Sequence, residues 1–459
     1  MTAPPVRIAV VGHTNAGKTS LMRTLTRRRR FGEVSSRPAT TRHVEMAEIG
    51  LEGKKAIELF DTPGLEDSTG LLAYLDAARH ETGGDWTSAI EQLIASPAGT
   101  SFEQEAKALA QLRQSDVALY VIDARDKVRA KHRDELEVLG RCAVPILPVL
   151  NFVADPAALT GEWRSELARK NMHAIVAFDT VVFDEAGEDA LYAKIGTMLD
   201  RFAPLFRALS QMLKDRREEI RRASAKLIAD LLIDAAAARR TYQSGDAAAE
   251  AERAEDLKKA LRKREAKCVK ALIALQDFSD EDYATKQLPI EHGEWREDPF
   301  DPATLARFGL SAGKAAATGA AAGLAVDLMT GGLTLGVAAL AGAAAGFLFD
   351  TVRKHGGGLL DRLSGTTTLT IAEATLKVIA MRELALAVAL LHRGHGAMKP
   401  IDLSPWEQRP LPPETVALLR PARREVHWSS LNGRFFSKGG RREELRDALA
   451  DRLRPLLAE

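Results

Sequence analysis

Residues Gly12 to Ser20 read G-H-T-N-A-G-K-T-S, a fit to the pattern G-x-x-x-x-G-K-[ST]. Upstream, Val6–Val11 is a short β-branched run of the kind that forms a buried parallel strand. Downstream, Ser20 to Arg27 starts a helix with Leu21, Met22 and Leu25 on one side. A glycine-rich loop between a strand and a helix can wrap a polyphosphate. Its backbone N–H groups point inward, and the helix N-terminus adds its positive end. Gly12, Asn15, Ala16, Gly17, Lys18, Thr19 and Ser20 form the expected cradle. Lys18 is placed to reach the β- and γ-phosphates and the Thr19 hydroxyl to ligate Mg²⁺.

The chain has 459 residues, enough for two or three domains with their own cores. A hydrophobic fraction of 46% beside 28% charged residues places it among globular proteins. A formal net charge of +1 makes no global electrostatic case for nucleic acid, which is not expected as a partner. Cys142 and Cys268 lie far apart, without metal-ligand spacing, and suit a reducing compartment. The first residues, M-T-A-P-P-V-R, lack the basic start and apolar core of a signal peptide, so a cytoplasmic nucleotide site is expected.

Residues 1–200 alternate apolar strand-like runs with amphipathic helical stretches. That is the pattern of an α/β domain with a mostly parallel sheet and helices on both faces. The expected strands are Val6–Val11, Val44–Ile49, Ala56–Phe60, Val117–Ile122, Ile146–Leu150 and Ala174–Phe178. The connection from Gly64 to Val117 far exceeds the usual ~4–6 residues. Its apolar spacing, at Leu71, Leu72, Leu75, Ile90, Leu93 and Ile94, predicts a helical insertion near 70–110.

From Phe202 the chain turns mainly α-helical. Leu205, Leu209, Met212, Ile220, Leu227 and Leu231 mark one long amphipathic helix, and a polar break at Gln243–Asp246 precedes a second, Ala247 to Gln276. Residues 201–300 therefore read as long helices, either a hairpin or stalk or a helical domain packed on the first one. Within 301–459, residues 310–349 are Gly/Ala-rich and apolar, with G-x-x-x-G pairs at Gly319/Gly323, Gly332/Gly336 and Gly342/Gly346. Gly331-Gly332 splits this stretch into a helical hairpin. Its second half falls short of the ~20 residues that span a bilayer, and Asp327 sits in the first half. A packed pair out of lipid is favoured, with peripheral or integral contact at the inner membrane as the alternative. The tail holds a basic segment, Arg434 to Arg442, that includes Phe435, Phe436, Lys438 and Arg441. It reads as solvated charge around a small aromatic pair, or as a surface for RNA or anionic lipid.

Further residues narrow the chemistry. Asp61-Thr62-Pro63-Gly64 follows a strand and matches D-x-x-G, in which the Asp holds Mg²⁺ through water and the Gly amide senses a γ-phosphate. Between the two motifs lies Arg37-Pro38-Ala39-Thr40-Thr41-Arg42-His43, where a threonine closes the Mg²⁺ shell when a γ-phosphate is present.

With G-x-x-N-A-G-K-[ST], T-T-R-H and D-T-P-G-L in this order, residues 6–155 resemble the Era/TrmE-like bacterial P-loop GTPases. The resemblance implies Mg²⁺-dependent hydrolysis of GTP to GDP and phosphate. Loops 33–45 and 64–70 would be its switches, and Lys18, Thr41 and Gly64 its catalytic candidates. Mg²⁺ would be held by Thr19, Asp61 and Thr41, with Thr40 as the alternative to Thr41. Asn15 matches the position that in some relatives coordinates K⁺. Leu65 stands where Ras-like enzymes place a water-orienting glutamine; Glu66, Asp67, Arg42 and K⁺ are the candidates to replace it. The family's N-K-x-D pattern is met only by Asn151 and, displaced by one residue, Asp155. The later S-A-K-like position holds Ala177-Phe178-Asp179. Guanine is favoured as the base, with adenine or relaxed selection as the alternative.

The whole layout resembles bacterial GTPases fused to an uncharacterised C-terminal domain. The leading reading is a regulatory switch that binds GTP and GDP and meets an unidentified protein effector. A dynamin-like mechanical or scaffolding role at a membrane through 310–349 comes second. An RNA- or ribosome-associated GTPase using Arg27–Arg30 and Arg434–Arg442 comes third. A second copy of the chain is the other partner considered.

Overall fold

The computed structural model describes residues 4–27, 44–81, 83–96, 101–276, 278, 290–291, 294–301, 304, 307–308, 349–353, 365–393, 411–433, 436–437 and 439–458. The expected switch threonines Thr40 and Thr41, the apolar residues 310–348, and Arg434, Phe435 and Lys438 lie outside these residues. The chain divides into two compact units: Met1–Arg216 with His392–Lys399, and Arg217–Leu391 with Pro400–Glu459.

In the first unit, β1 (Val6–Val11), β3 (Lys54–Asp61), β4 (Val117–Asp123), β5 (Ile146–Asn151) and β6 (Val176–Ala177) run parallel. β2 (Glu45–Leu51) pairs antiparallel with β3, giving the order β2-β3-β1-β4-β5-β6. β1, β4 and β5 are near-continuous runs of Val, Ile, Leu and Ala because both faces of a central parallel strand are covered. β2 is an edge strand, and its exposed positions alternate with inward ones. The β2–β3 turn is Glu52-Gly53 with φ of 52° and 75°, the left-handed pair that a two-residue hairpin requires.

Two cores flank this sheet. One gathers Leu21, Met22 and Leu25 of α1 (Lys18–Thr26) with Leu191 and Ile195 of α7 (Glu185–Met198). The other gathers α2 (Ser68–Glu81), α3 (Trp86–Ala95), α4 (Glu103–Arg113), α5 (Ala130–Gly140) and α6 (Thr160–Arg169). The long connection after Gly64 is thus three helices. Leu71, Leu75, Ile90 and Leu93 lie in that core, as their spacing suggests, and Asp85 caps α3 by accepting from the Thr87 N–H at 3.1 Å.

The first unit reaches beyond residue 200. The helix α8 (Ala203–Ala237) begins inside it, and Phe206, Leu209 and Leu213 join the α1/α7 core. The division between units falls within this helix.

In the second unit, the later turns of α8, α9 (Ala247–Leu275), α10 (Glu373–Leu391), α11 (Pro413–Ala417) and α12 (Gly440–Leu453) surround one core. Asp246 caps α9 by accepting from the Ala249 N–H at 2.9 Å. The break at Gln243–Asp246 ends a strand, β7 (Arg239–Gln243), and is not a bare loop. It is followed by a short hairpin, β8 (Ile290–Glu291) and β9 (Glu294–Trp295), and by β10 (Phe349–Arg353) and β11 (Thr366–Ile371). The order β10-β11-β7 makes a three-stranded antiparallel sheet in a region that reads from sequence as helical. No helix of the described residues is long and apolar enough to cross a membrane.

The tail is anchored by a cation that the sequence reads as surface charge. Arg442 is 2% exposed; it donates to the Trp428 carbonyl at 2.9 Å, to Asp230 at 2.7 Å and to Asp234 at 3.3 Å. Asp234 also receives the Arg264 Nε at 2.5 Å and the Ser430 N–H at 3.0 Å. In this part of the basic segment the charge is buried and paired.

Candidate functional site

The loop between β1 and α1 is shaped by three left-handed residues. Gly12, Asn15 and Gly17 have φ of 140°, 64° and 93°. A Cβ on Gly12 would lie 2.4 Å from the Val121 carbonyl oxygen, and one on Gly17 would lie 2.2 Å from Asn151 Nδ2. Only glycine fits at either place, which explains the motif residue by residue. Asn15 tolerates the same region better than most side chains. Ala16 is buried under the loop, and Ser20 lies in the first turn of α1.

Lys18 folds across this loop. Its Nζ donates to the carbonyls of Gly12 at 2.9 Å and His13 at 3.0 Å. Burial lowers its pKa, against the opposing pull of Asp61, Glu135 and Glu66. The Thr19 hydroxyl donates to Asp61 Oδ2 at 2.5 Å, at the end of β3. Asp61 is raised to about 6, first because it is buried; Lys18 and Thr19 act the other way. Its Oδ1 is buried without a hydrogen-bond partner among the described residues. An unpartnered carboxylate oxygen beside a threonine hydroxyl is a donor set that suits a hard divalent cation such as Mg²⁺. Gly64 presses on the same loop, where a Cβ would meet Thr14 Oγ1 at 2.6 Å. The structure therefore brings Gly12, Asn15, Ala16, Gly17, Lys18, Thr19, Ser20, Asp61 and Gly64 together. Thr41 falls outside the described residues.

The Leu65 side chain is buried, Glu66 is exposed, and the Asp67 carboxylate accepts from the Gly70 N–H at 2.8 Å. Among the water-positioning candidates, Asp67 is committed to holding the start of α2.

Asn151 ends β5 and braces the loop. Its Nδ2 donates to the Ala16 carbonyl at 3.0 Å, and its Oδ1 accepts from the N–H groups of Phe152 at 2.9 Å and Thr180 at 3.0 Å. Asp155 closes the next turn, where Oδ1 accepts from the Ala157 N–H at 2.9 Å and Oδ2 lies 3.9 Å from Arg125. Asp179 accepts from the N–H groups of Ala154 at 3.0 Å, Val181 at 2.8 Å and Val182 at 2.9 Å. Both aspartates thus order backbone.

Sequence reasoning missed Phe152 and Arg125. Phe152, in the left-handed region with φ 57°, sets its ring edge 3.2 Å from the Gly17 Cβ position. The Arg125 guanidinium stacks on that ring at 4.0 Å and is held by Asp123 through bonds of 2.9 and 2.7 Å. The signal was the aromatic residue after Asn151, which reads as a lost lysine until its stacked cation is seen.

Residues 7–152 match the family described as 50S ribosome-binding GTPase, and residues 164–451 match a domain of unknown function, DUF3482. GTPase Der of Campylobacter concisus is 29% identical over 157 residues, 34% of this chain and 27% of that protein. A tRNA modification GTPase MnmE of a Synechococcus species is 42% identical over 76 residues, 17% of this chain and 16% of that protein. The chain thus spans well under two thirds of the length of these curated relatives. Among solved structures, an Aquifex aeolicus Era variant bound to GDP and aluminium fluoride is 20% identical with a TM-score of 0.26; it covers 38% of this chain and 50% of that one. A complex of Era with MgGDPNP and a 16S ribosomal RNA segment is 16% identical with a TM-score of 0.28, covering 39% and 52%. The chain belongs to the DUF3482 family, whose model matches more than half of its length, and its residues 7–152 match the P-loop GTPase domain described as 50S ribosome-binding GTPase.

Proposed function

We propose that the chain binds GTP with Mg²⁺ and hydrolyses it to GDP and phosphate, acting as a molecular switch through loops 33–45 and 64–70. The observation that carries this reading is the convergence of Lys18, Thr19, Asp61 and Gly64 on one glycine-shaped loop. The inward backbone N–H groups and the α1 N-terminus would hold the β-phosphate, and Lys18 would leave the carbonyls it now bonds for phosphate oxygens. Thr19 and Asp61, with Thr41, would hold Mg²⁺, whose charge screens the phosphates when bound. The Gly64 N–H would register a γ-phosphate, a reading supported by the close approach of Gly64 to Thr14.

For the base, Asn151 fixes the loop that carries Phe152 and Asp155. Phe152 would offer a stacking face and Asp155 a carboxylate to the guanine edge. K⁺ at Asn15 belongs to the same proposal, with a cytoplasmic setting and an unidentified protein effector. The test is affinity and turnover with GTP against ATP, in K⁺ and in Na⁺, on the full chain. Lys18→Ala is expected to lower GTP affinity about 100-fold or more, ~3 kcal/mol. Unchanged affinity would sink the site.

The match of residues 7–152 to a family described as ribosome-binding supports a second reading, a ribosomal or RNA partner, against the expectation drawn from net charge. Its test is binding of ribosomal RNA by the full chain at about 50 and 200 mM salt, where phosphate contacts predict a steep loss. No binding, or salt-independent binding, would contradict it.

A further inference from the structure

Behind the phosphate loop lies a polar cluster that the proposed chemistry does not use. His13 occupies a variable position of the motif. Its Nδ1 lies 2.9 Å from Glu135 Oε1, and the other carboxylate oxygen accepts from the Tyr120 hydroxyl at 2.6 Å. Glu135 is fully buried, and burial together with its charge raises the Tyr120 pKa far up, so the phenol stays a donor. With both Glu135 oxygens acting as acceptors, the imidazole proton belongs on Nδ1. That leaves Nε2 to accept from Lys131, whose Nζ lies in close contact with it. The His132 ring packs edge-on against His13 at 5.5 Å, and Trp163 backs His132 at 5.1 Å, so the imidazole is held from the side as well.

Lys131, His132 and Glu135 all lie on α5, and the same helix grips the segment that follows Gly64. The Ser68 hydroxyl donates to the Lys131 carbonyl at 2.8 Å, and the Thr69 hydroxyl donates to Asp134 at 2.5 Å. Ser68 is fully buried and begins α2. One end of α5 therefore has two attachments, to the start of α2 and, through His13, to the loop. The His13 carbonyl is one of the two that receive Lys18. Beside it, Thr14 carries a buried hydroxyl with no hydrogen-bond partner among the described residues, pressed against Gly64.

We infer that His13 is a positioning residue that ties the phosphate loop to α2 through α5, so that the start of α2 and the Lys18 cradle change arrangement together. The inference rests on the nucleotide-site reading above and adds a residue and a coupling to it. A tie of this kind acts on the difference between nucleotide states rather than on phosphate binding itself, because only a γ-phosphate engages the Gly64 segment. Glutamine can do what the imidazole does here, donating to Glu135 and accepting from Lys131.

The experiment measures the affinities of GDP and of a non-hydrolysable GTP analogue for the full chain and for its His13→Ala, His13→Gln and Lys131→Met variants. Melting curves accompany each protein. His13→Ala is expected to change the ratio of the two affinities by about fivefold or more. His13→Gln is expected to restore the ratio to within about twofold, and adding Lys131→Met to His13→Ala to change it no further. Should His13→Ala fail to fold, Lys131→Met alone, which leaves the loop intact, carries the same expectation. Equal loss of both affinities, or no recovery in His13→Gln, would overturn the inference while leaving the nucleotide site in place. A wild-type chain that binds neither nucleotide would overturn both.

Discussion

At the scale of single residues, the site trades stability for a charge. Asp61 ends β3 fully enclosed, with one oxygen on Thr19 and the other without a partner among the described residues. Its pKa is raised from 3.8 to about 6 in the folded chain. The folded state therefore holds the proton more tightly than the unfolded one, and stability falls as pH rises from about 4 through about 6. Above that window the ionised carboxylate costs about 3 kcal/mol, at ~1.4 kcal/mol per pH unit. In chelator and without nucleotide, Asp61→Asn is expected to raise the melting temperature at pH 7.5 (an assay value of about one to two units above the window) and not at pH 4. With Mg²⁺ and GTP the same variant is expected to lose turnover. A variant no more stable than wild type at the higher pH would contradict the burial argument. The base loop gives a second comparison. Phe152→Ala is expected to weaken GTP and ATP alike by about tenfold, since stacking of ~1–3 kcal/mol is tolerant of the base. Asp155→Asn is expected to weaken GTP alone. Competition binding separates the two, and equal loss of GTP and ATP in Asp155→Asn would remove that residue from guanine recognition.

At the scale of elements, what could be read from sequence followed from period and punctuation. β1, β4 and β5 appear where their Val/Ile/Leu runs lie, because a strand covered on both faces has little freedom in composition. The phosphate loop was legible because Gly12 and Gly17 are required by contacts of 2.4 and 2.2 Å that no other residue permits. The sheet β10-β11-β7 was not legible. β7 is the polar run Arg239–Gln243, and its partner β11 opens with three threonines, Thr366 to Thr368, before Leu369, Thr370 and Ile371, far along the chain. Neither carries a hydrophobic period that local reasoning can weigh against the flanking helices. His13 was equally silent, since its partners Lys131 and Glu135, and Tyr120 that bonds Glu135, are distant in sequence and meet only through β4 and α5. Arg442 shows the reverse error, a cation in a basic run that proves to be an anchor. Removing it would leave Asp230 short of a partner and Asp234 buried with one cation fewer. Arg442→Ala is therefore expected to cost about 3–5 kcal/mol in denaturant unfolding of the C-terminal unit. A cost below about 1 kcal/mol would return it to the class of surface charges.

At the scale of the molecule, a GTPase unit is joined to a mixed helical unit, and the division falls inside α8 rather than at residue 200. Phe206, Leu209 and Leu213 belong to the core that holds α1 and α7. A chain ended after Asp200 loses three buried apolar side chains, each worth ~1.5–3 kcal/mol. It is expected to melt below a chain ended after Arg216, and equal melting temperatures would contradict that assignment. In the second unit, Arg382 is buried with Glu265, while Glu383 accepts from Trp295 Nε1 at 2.9 Å. Burial raises both carboxyls, and the Glu265 charge raises Glu383 further, so the stability each contributes to this core is lost as pH rises through its folded-state pKa.

The central claim is that Lys18, Thr19 and Asp61 build a Mg²⁺-dependent site for a guanine nucleotide. It is tested most directly by measuring turnover of GTP and ATP by the full chain, with and without Mg²⁺, beside the Lys18→Ala variant. The account predicts Mg²⁺-dependent release of phosphate from GTP, faster than from ATP and lost in Lys18→Ala. Turnover that survives Lys18→Ala, or that needs no Mg²⁺, would contradict it.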